Sequence, residues 1–207
     1  MTAGPYPVLE PVSIERLRPT QITVGMREVK EKRRRWHELP KEKKDEFLGR
    51  HMVPAIFGPK ERYYVVDHHH LALALHEEGA KQVLVSVVAD LRVLEREAFW
   101  VFLDHRGWVY PYDADGVRQG FDAIPKSVDD LVDDPFRSLA GELRQAGGFA
   151  KDTTPFSEFL WADTLRRRMT RKSVEKDFDA ALRDALAFAK SQDATYLPGW
   201  CGPSKDE

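Results

Sequence analysis

The stretch Tyr63-Tyr64-Val65-Val66-Asp67-His68-His69-His70-Leu71-Ala72-Leu73-Ala74-Leu75 gathers an acid and three imidazoles between two regular elements. Its aromatic and β-branched beginning predicts a strand, and its Leu/Ala end predicts a helix that follows at once. A helix N-terminus presents unpaired N–H donors and the positive end of the backbone dipole, so anions settle there. Imidazoles at that point add donors whose charge switches near neutral pH. Asp67 has three roles open to it: orienting an imidazole, holding Mg²⁺, or capping the helix. The combination suits phosphate handling. One rival is a transition-metal site on His68 and His70, which has no clear third ligand. Another is a purely structural turn with half-exposed imidazoles.

Three further groups carry chemistry. Glu28 and Lys30 flank a segment able to close over the turn; as exposed helix charges they would do nothing more. Arg137 and Ser138 follow the cap pair Asp134-Pro135, where a second anion or a substrate group can bind, or where Arg137 simply pairs with Asp133 or Asp134. Glu158 and Asp163 share a helix with Trp161, too far apart to be direct helix neighbours, and Trp161 itself reads as core.

The elements that must position these groups alternate up to about residue 110. Pro7 to Ile14 reads as a short extended segment, and Val24 to His37 as helical or irregular. Pro40 opens a helix that Gly49 closes. Val53 to Phe57 and Arg62 to Val66 read as a hairpin around Gly58-Pro59-Lys60-Glu61. Leu71 to Glu78 is a helix ended by Gly79, and Val83 to Val88 a central strand. The second half reads as helical: Glu95 to His105, a helix after Asp134-Pro135 that ends at Gly147-Gly148, another after Thr154-Pro155, and a last one opened by Ser173. Asp113 to Asp122 is the linker candidate. The expected organisation is an α+β fold, with a small mixed-sheet core over residues 1–110 and a mainly helical extension over 111–207 packed on it.

The chain has 207 residues, 42% of them apolar and 32% charged. That is globular composition, and the length is enough to bury a core without staples. No apolar run approaches the roughly 20 residues of a membrane span. Met1 to Glu10, with Pro5 and Pro7, lacks the basic and apolar regions of a secretory signal. The single Cys201 excludes an internal disulfide framework. A cytoplasmic protein is the expectation. The net charge of −2 argues against general nucleic-acid binding and against DNA as a partner. The two basic runs, Lys30 to Arg35 and Arg166 to Lys172, are followed closely by acids and read as solvated helix faces.

The order strand, Asp67-His68-His69-His70, Leu/Ala helix, Gly79, Val-rich strand resembles the ParB/sulfiredoxin superfamily, whose usual strand-end text is Asp-Gly-His-His-Arg. Leu17-Arg18-Pro19-Thr20-Gln21 is similar to the superfamily's opening segment. Asp134-Pro135-Phe136-Arg137-Ser138-Leu139-Ala140 and Pro155-Phe156-Ser157-Glu158-Phe159-Leu160-Trp161-Ala162-Asp163 are similar to its bacterial ParB-like nuclease group. The resemblance implies a nucleotide-binding core that takes ATP or ADP with Mg²⁺. His68, His69, His70, Gln21 and Lys30 would sit around the phosphates, and Asp67 would hold the metal or act with Glu28 in catalysis. His68 stands where the superfamily has Gly, and Leu71 near its Arg. The lack of a Cys in the motif excludes sulfiredoxin chemistry. Free-serine kinases of the superfamily place a catalytic Glu where this chain has Thr20-Gln21, a place that Glu28 fills if the following segment folds back. The implied function is nucleotide- and Mg-dependent phosphoryl transfer to a small-molecule acceptor, as a kinase or nucleotide hydrolase. The alternatives are a non-catalytic partition-type nucleotide or DNA binder, and a phosphodiester hydrolase.

Overall fold

The structure, a computed structural model, describes residues 8–203. The Met1 to Pro7 part of the N-terminal readings lies outside the described residues. In chain order the elements are β1 (Val8–Ser13), β2 (Leu17–Pro19), β3 (Thr23–Val24), α1 (Met26–Glu38), α2 (Lys41–Arg50), β4 (Val53–Gly58), β5 (Arg62–Val65), α3 (His69–Glu77) and β6 (Gln82–Asp90), then α4 (Arg96–His105), β7 (Val132–Asp133), α5 (Pro135–Gln145), α6 (Ser157–Arg168), α7 (Arg171–Lys176) and α8 (Phe178–Lys190).

Five strands form one mixed sheet in the order β1-β6-β4-β5-β2. The β1–β6 and β4–β5 pairs are antiparallel, and β4–β6 and β2–β5 are parallel. Alternation along the strands gives the sheet two apolar faces, as expected when both are covered. One face carries Val53, Ala55, Val65, Val83, Val85 and Val87, packed with Val29 of α1 and Leu71 to Leu75 of α3. The other carries Ile56 and Tyr64, packed with Phe99, Trp100 and Leu103 of α4. Gly58 permits that second layer, because a Cβ there would stand 2.8 Å from the rings of both Phe99 and Tyr64.

A separate apolar cluster unites α5, α6 and α8 around Leu139, Leu143, Trp161, Leu165 and Ala185. The helical half is tied to the sheet half in two ways. β7 pairs in parallel with β3, and Val128 and Leu131 join the sheet's core. The fold is therefore α+β, with a mixed-sheet core and a helical second half. After α8 the chain returns along α6. Trp161 Nε1 donates to the Pro198 carbonyl at 2.8 Å, and Ala150 N donates to the Gly199 carbonyl at 2.8 Å. Gly199 (φ 74°) is required there, since a Cβ would collide with the Ala150 carbonyl oxygen.

Several boundaries differ from the sequence reading. α3 starts at His69, two residues early, so two of the three imidazoles stand on the helix. Gly49 lies inside α2, and Pro40 is its cap. α6 begins at Ser157 after Phe156 in the left-handed conformation (φ 58°), not at Thr154-Pro155. Ser173 lies within α7, which Thr170 caps, and Asp177 opens α8. Asp113 to Asp122 is no free linker. Asp113 accepts the N–H groups of Asp115 and Val117, and Gly116 packs beneath Arg166. Among the described residues no helix is long and apolar enough to cross a membrane.

Candidate functional site

β5 delivers Val66 and Asp67 to the end of the sheet, where the chain must turn into α3. The turn is made by His68 in the left-handed conformation, with φ 66° and ψ 27°. Glycine is free in that region, and other residues are strained. The superfamily's Gly at this position thus corresponds to a real backbone demand. His68 meets it with two local bonds: its N–H donates to Asp67 Oδ1 at 2.6 Å, and its Nδ1 lies 2.9 Å from the Met52 carbonyl. Asp67 and His68 are both exposed at the rim of the turn.

His69 and His70 are buried, and both use Nε2 as an acceptor. Thr20 N–H donates to His69 at 3.1 Å, and Gly25 N–H donates to His70 at 3.0 Å. A nitrogen that accepts cannot donate to phosphate, so these two rings fasten the segment 20–25 to α3. Burial pulls the His69 pKa down to about 3, with the neighbouring His70 adding to the effect. Burial, then the Arg137 guanidinium, holds His70 well below the usual imidazole range. Both rings are neutral at physiological pH. What the turn offers an anion is backbone N–H, because the first turn of a helix has no intrahelical partners for its donors.

The segment after β3 does fold back. Glu28 Oε2 lies 3.6 Å from His70 Nδ1, and Glu28 Oε1 lies 3.2 Å from Lys32 Nζ. Gly25 permits this close approach, since a Cβ there would stand 2.7 Å from Ser138 N. Ser138 Oγ accepts the Arg27 N–H at 3.2 Å, so its hydroxyl serves the joint between α1 and α5. Gln21 is buried, with Nε2 donating to the Thr23 carbonyl at 2.6 Å. Lys30 is not brought to the turn. It lies on the other flank of α1, in a shallow depression with Arg33, Arg34 and His37, because two residues along a helix point nearly opposite ways.

A cleft of about 370 Å³ opens beside the turn, between the sheet half and the helical half. Gln21, Asp67, His69 and His70 line one side, and Arg137, Arg144, Lys151 and Glu158 the other. Arg106 and Trp108, after α4, close its end. Arg137 is 8% exposed. It pairs with Glu158, and its guanidinium stands 4.9 Å from the Phe159 ring centre. Arg144 Nε reaches the other Glu158 oxygen at 2.6 Å. Two Arg137 donors, Nε and Nη1, have no hydrogen-bond partner. Sequence reasoning singled out Arg137 but missed Arg106, Arg144 and Lys151. Isolated cations on three separate segments carry no local signal.

Below the cleft, Tyr110 O–H donates to Asp163 at 2.9 Å, and Arg166 bridges Asp163 to Asp134 Oδ2, the latter at 2.5 Å. Asp134, almost fully buried, also caps α5 by accepting the Phe136 N–H at 3.0 Å. Burial raises its pKa while Arg166 opposes that rise. Tyr110 N–H donates to the Thr20 carbonyl at 2.8 Å, so the network ends on the segment that His69 also holds.

Comparison with known proteins fits this arrangement. A family model described as "Putative ParB-like nuclease" matches residues 10–167, which span the turn, the cleft and most of α6. The chain belongs to the ParB-like nuclease family. The crystal structure of protein Atu1540 from Agrobacterium tumefaciens is 53% identical, covering 96% of this chain and 98% of that one, with a TM-score of 0.90. No curated protein matches the chain. The superfamily resemblance implies magnesium, an ion that takes one or two protein carboxylates and completes its shell with phosphate oxygens and water. Among the described residues no three His, Cys, Asp or Glu side chains come together to hold a metal. Within this ParB-like nuclease chain Asp67 is the one acid at the turn, and one of its oxygens is already bonded to His68 N–H.

Proposed function

We propose that this chain is a phosphoryl-transfer enzyme that holds a nucleotide by its phosphates in the cleft at the N-terminus of α3. The reading rests above all on Arg137, a guanidinium that lines the cleft beside that helix end and is held there by Glu158. A hydrogen bond from a guanidinium to a phosphate oxygen is charge-assisted and among the stronger ones a protein makes. Arg144, Lys151 and Arg106 add charge around the same cleft, as developing negative charge on a transferred phosphoryl group requires. Glu158 holds Arg137 in orientation, and Glu28 with His70 fixes the segment behind it.

Asp67 is the base in this scheme. The phosphorus–oxygen bond to the departing nucleoside diphosphate breaks as a bond forms to an acceptor hydroxyl or water, whose proton passes to Asp67. Arg137→Gln is expected to weaken ATP or ADP binding, read by titration calorimetry, at least about tenfold, the usual loss for a charged hydrogen bond. Asp67→Asn should keep binding and lose turnover. Unchanged nucleotide affinity in Arg137→Gln would refute the reading. Phosphodiester hydrolysis is the second reading, and the chain's family favours it.

A further inference from the structure

On the α4 side of the sheet, a second cleft of about 330 Å³ is bounded by β2, the 59–61 turn, β5, α4 and residues 121–126. Its lining holds five cations: Arg18, Lys60, Arg62, Arg96 and Lys126. They come from four separated parts of the chain, and the turn 59–61 reaches its position with Lys60 and Glu61 at positive φ (58° and 53°). Arg96 pairs with the exposed Asp122 at 2.6 Å. Arg18 Nη1 donates only to the carbonyls of Glu15 and Leu17. Lys60, Arg62 and Lys126 meet no carboxylate among the described residues. Arg18 and Arg62 are close enough to repel, and burial followed by Arg62 pulls the Arg18 pKa down. On a chain of net charge −2, such a concentration of uncompensated cations is a site of unspent positive potential.

Its remaining walls are apolar, with three rings, Tyr64, Trp100 and Phe121, among prolines and Ile124. Tyr64 meets Trp100 edge-on at 5.5 Å, and Phe121 stacks on Trp100 at 5.9 Å. Cations interleaved with rings are the combination that binds single-stranded nucleic acid, with backbone charge met by lysine and arginine and bases by aromatic faces. A monoanion needs one or two cations; the four without a carboxylate partner, Arg18, Lys60, Arg62 and Lys126, match a run of phosphates. The cleft also neighbours the first along the sheet. Pro19 and Tyr64 line it, while Gln21 and Val66, two residues further along the same two segments and about 7 Å of strand away, line the cleft at α3.

We propose that this second cleft binds single-stranded nucleic acid without sequence preference, its cations meeting the phosphodiester backbone and its rings the bases, independently of whether the α3 cleft is catalytic. The test is fluorescence anisotropy of the full chain with a labelled oligodeoxythymidylate of about 12 nucleotides, beside an abasic strand of equal length. The double variant Lys60→Glu/Arg62→Glu should weaken binding at least about tenfold and reduce the salt slope by about 0.7 for each phosphate no longer neutralised. Lys41→Glu/Lys43→Glu, an equal charge change on exposed α2, should leave binding nearly unchanged, and the abasic strand should bind more weakly than the thymidylate. Equal weakening in the two double variants, equal binding of the two strands, or no binding of either would overturn the proposal. Nucleotide affinity at the α3 cleft, measured on the same variants, separates its failure from failure of the function proposed above.

Discussion

His69 and His70 act as neutral acceptors for Thr20 and Gly25, and that gives them a pH signature. In the unfolded chain both protonate near pH 6.5; in the folded chain burial keeps them neutral, His69 down to about pH 3. Below about pH 6.5 the unfolded state therefore binds more protons, so stability is fully present above that pH and falls as pH drops towards the folded pKa values. His69 should cost about 2 kcal/mol between pH 6.5 and 5, and His70 adds to the loss in the same direction. Urea unfolding at pH 7 and pH 5 should show this, and His69→Gln, whose amide oxygen can still accept from Thr20, should remove the share that His69 contributes. An unchanged difference in that variant would show that His69 does not carry it. The cluster itself was legible, because four polar residues between a strand and a helix stand out in any sequence. The use of its imidazoles was not. Which nitrogen accepts depends on where residues 20–25 return in space, and no local spacing encodes that.

Between elements, the decisive joint is the contact of the α1 start with α5. Gly25→Ala places a methyl group against the Ser138 backbone and strains the bond to His70, so it should destabilise by about 1–3 kcal/mol. Gly49→Ala provides the contrast. Gly49 lies inside α2 with open space around it, so Ala should stabilise by about 0.5–1 kcal/mol. Chemical denaturation of the two variants should shift the midpoint in opposite directions. Most elements were readable from strand alternation, helical periodicity and the Asp134-Pro135 cap. The misplaced starts share a cause: α6 begins after a strained Phe156 held by packing with Tyr110 and Phe159, and that contact is tertiary. Lys30 was drawn to the site by its closeness to Glu28 in sequence, which a helix turns into opposite faces.

For the molecule as a whole, charge is arranged by folding more than by runs. The run at Lys30 to Arg35 is largely neutralised, with Arg33, Arg34 and Arg35 paired to Glu77, Glu78, Glu31 and Glu38. Arg166 is committed to Asp134 and Asp163. The open positive surface is assembled from single residues at 18, 60, 62, 96 and 126, which no reading along the chain could gather. The far wall of the α3 cleft, residues 151–159, hangs from Ala150, which the Gly199 carbonyl holds. Gly199→Ala should therefore speed hydrogen exchange over residues 151–156 while leaving β4 and β6 protected. Equal loosening of both regions would show that the returning segment stabilises the fold at large.

That returning segment also sets an order of assembly on the ribosome. Synthesis releases the sheet and α3 first, and an emerging chain can begin folding from its N-terminal side. The hydrogen bond that fixes the cleft's far wall waits for Pro198 and Gly199. A nascent chain can thus present a folded sheet well before its cleft is enclosed, and the emergence of Pro198 and Gly199 decides when the site is finished.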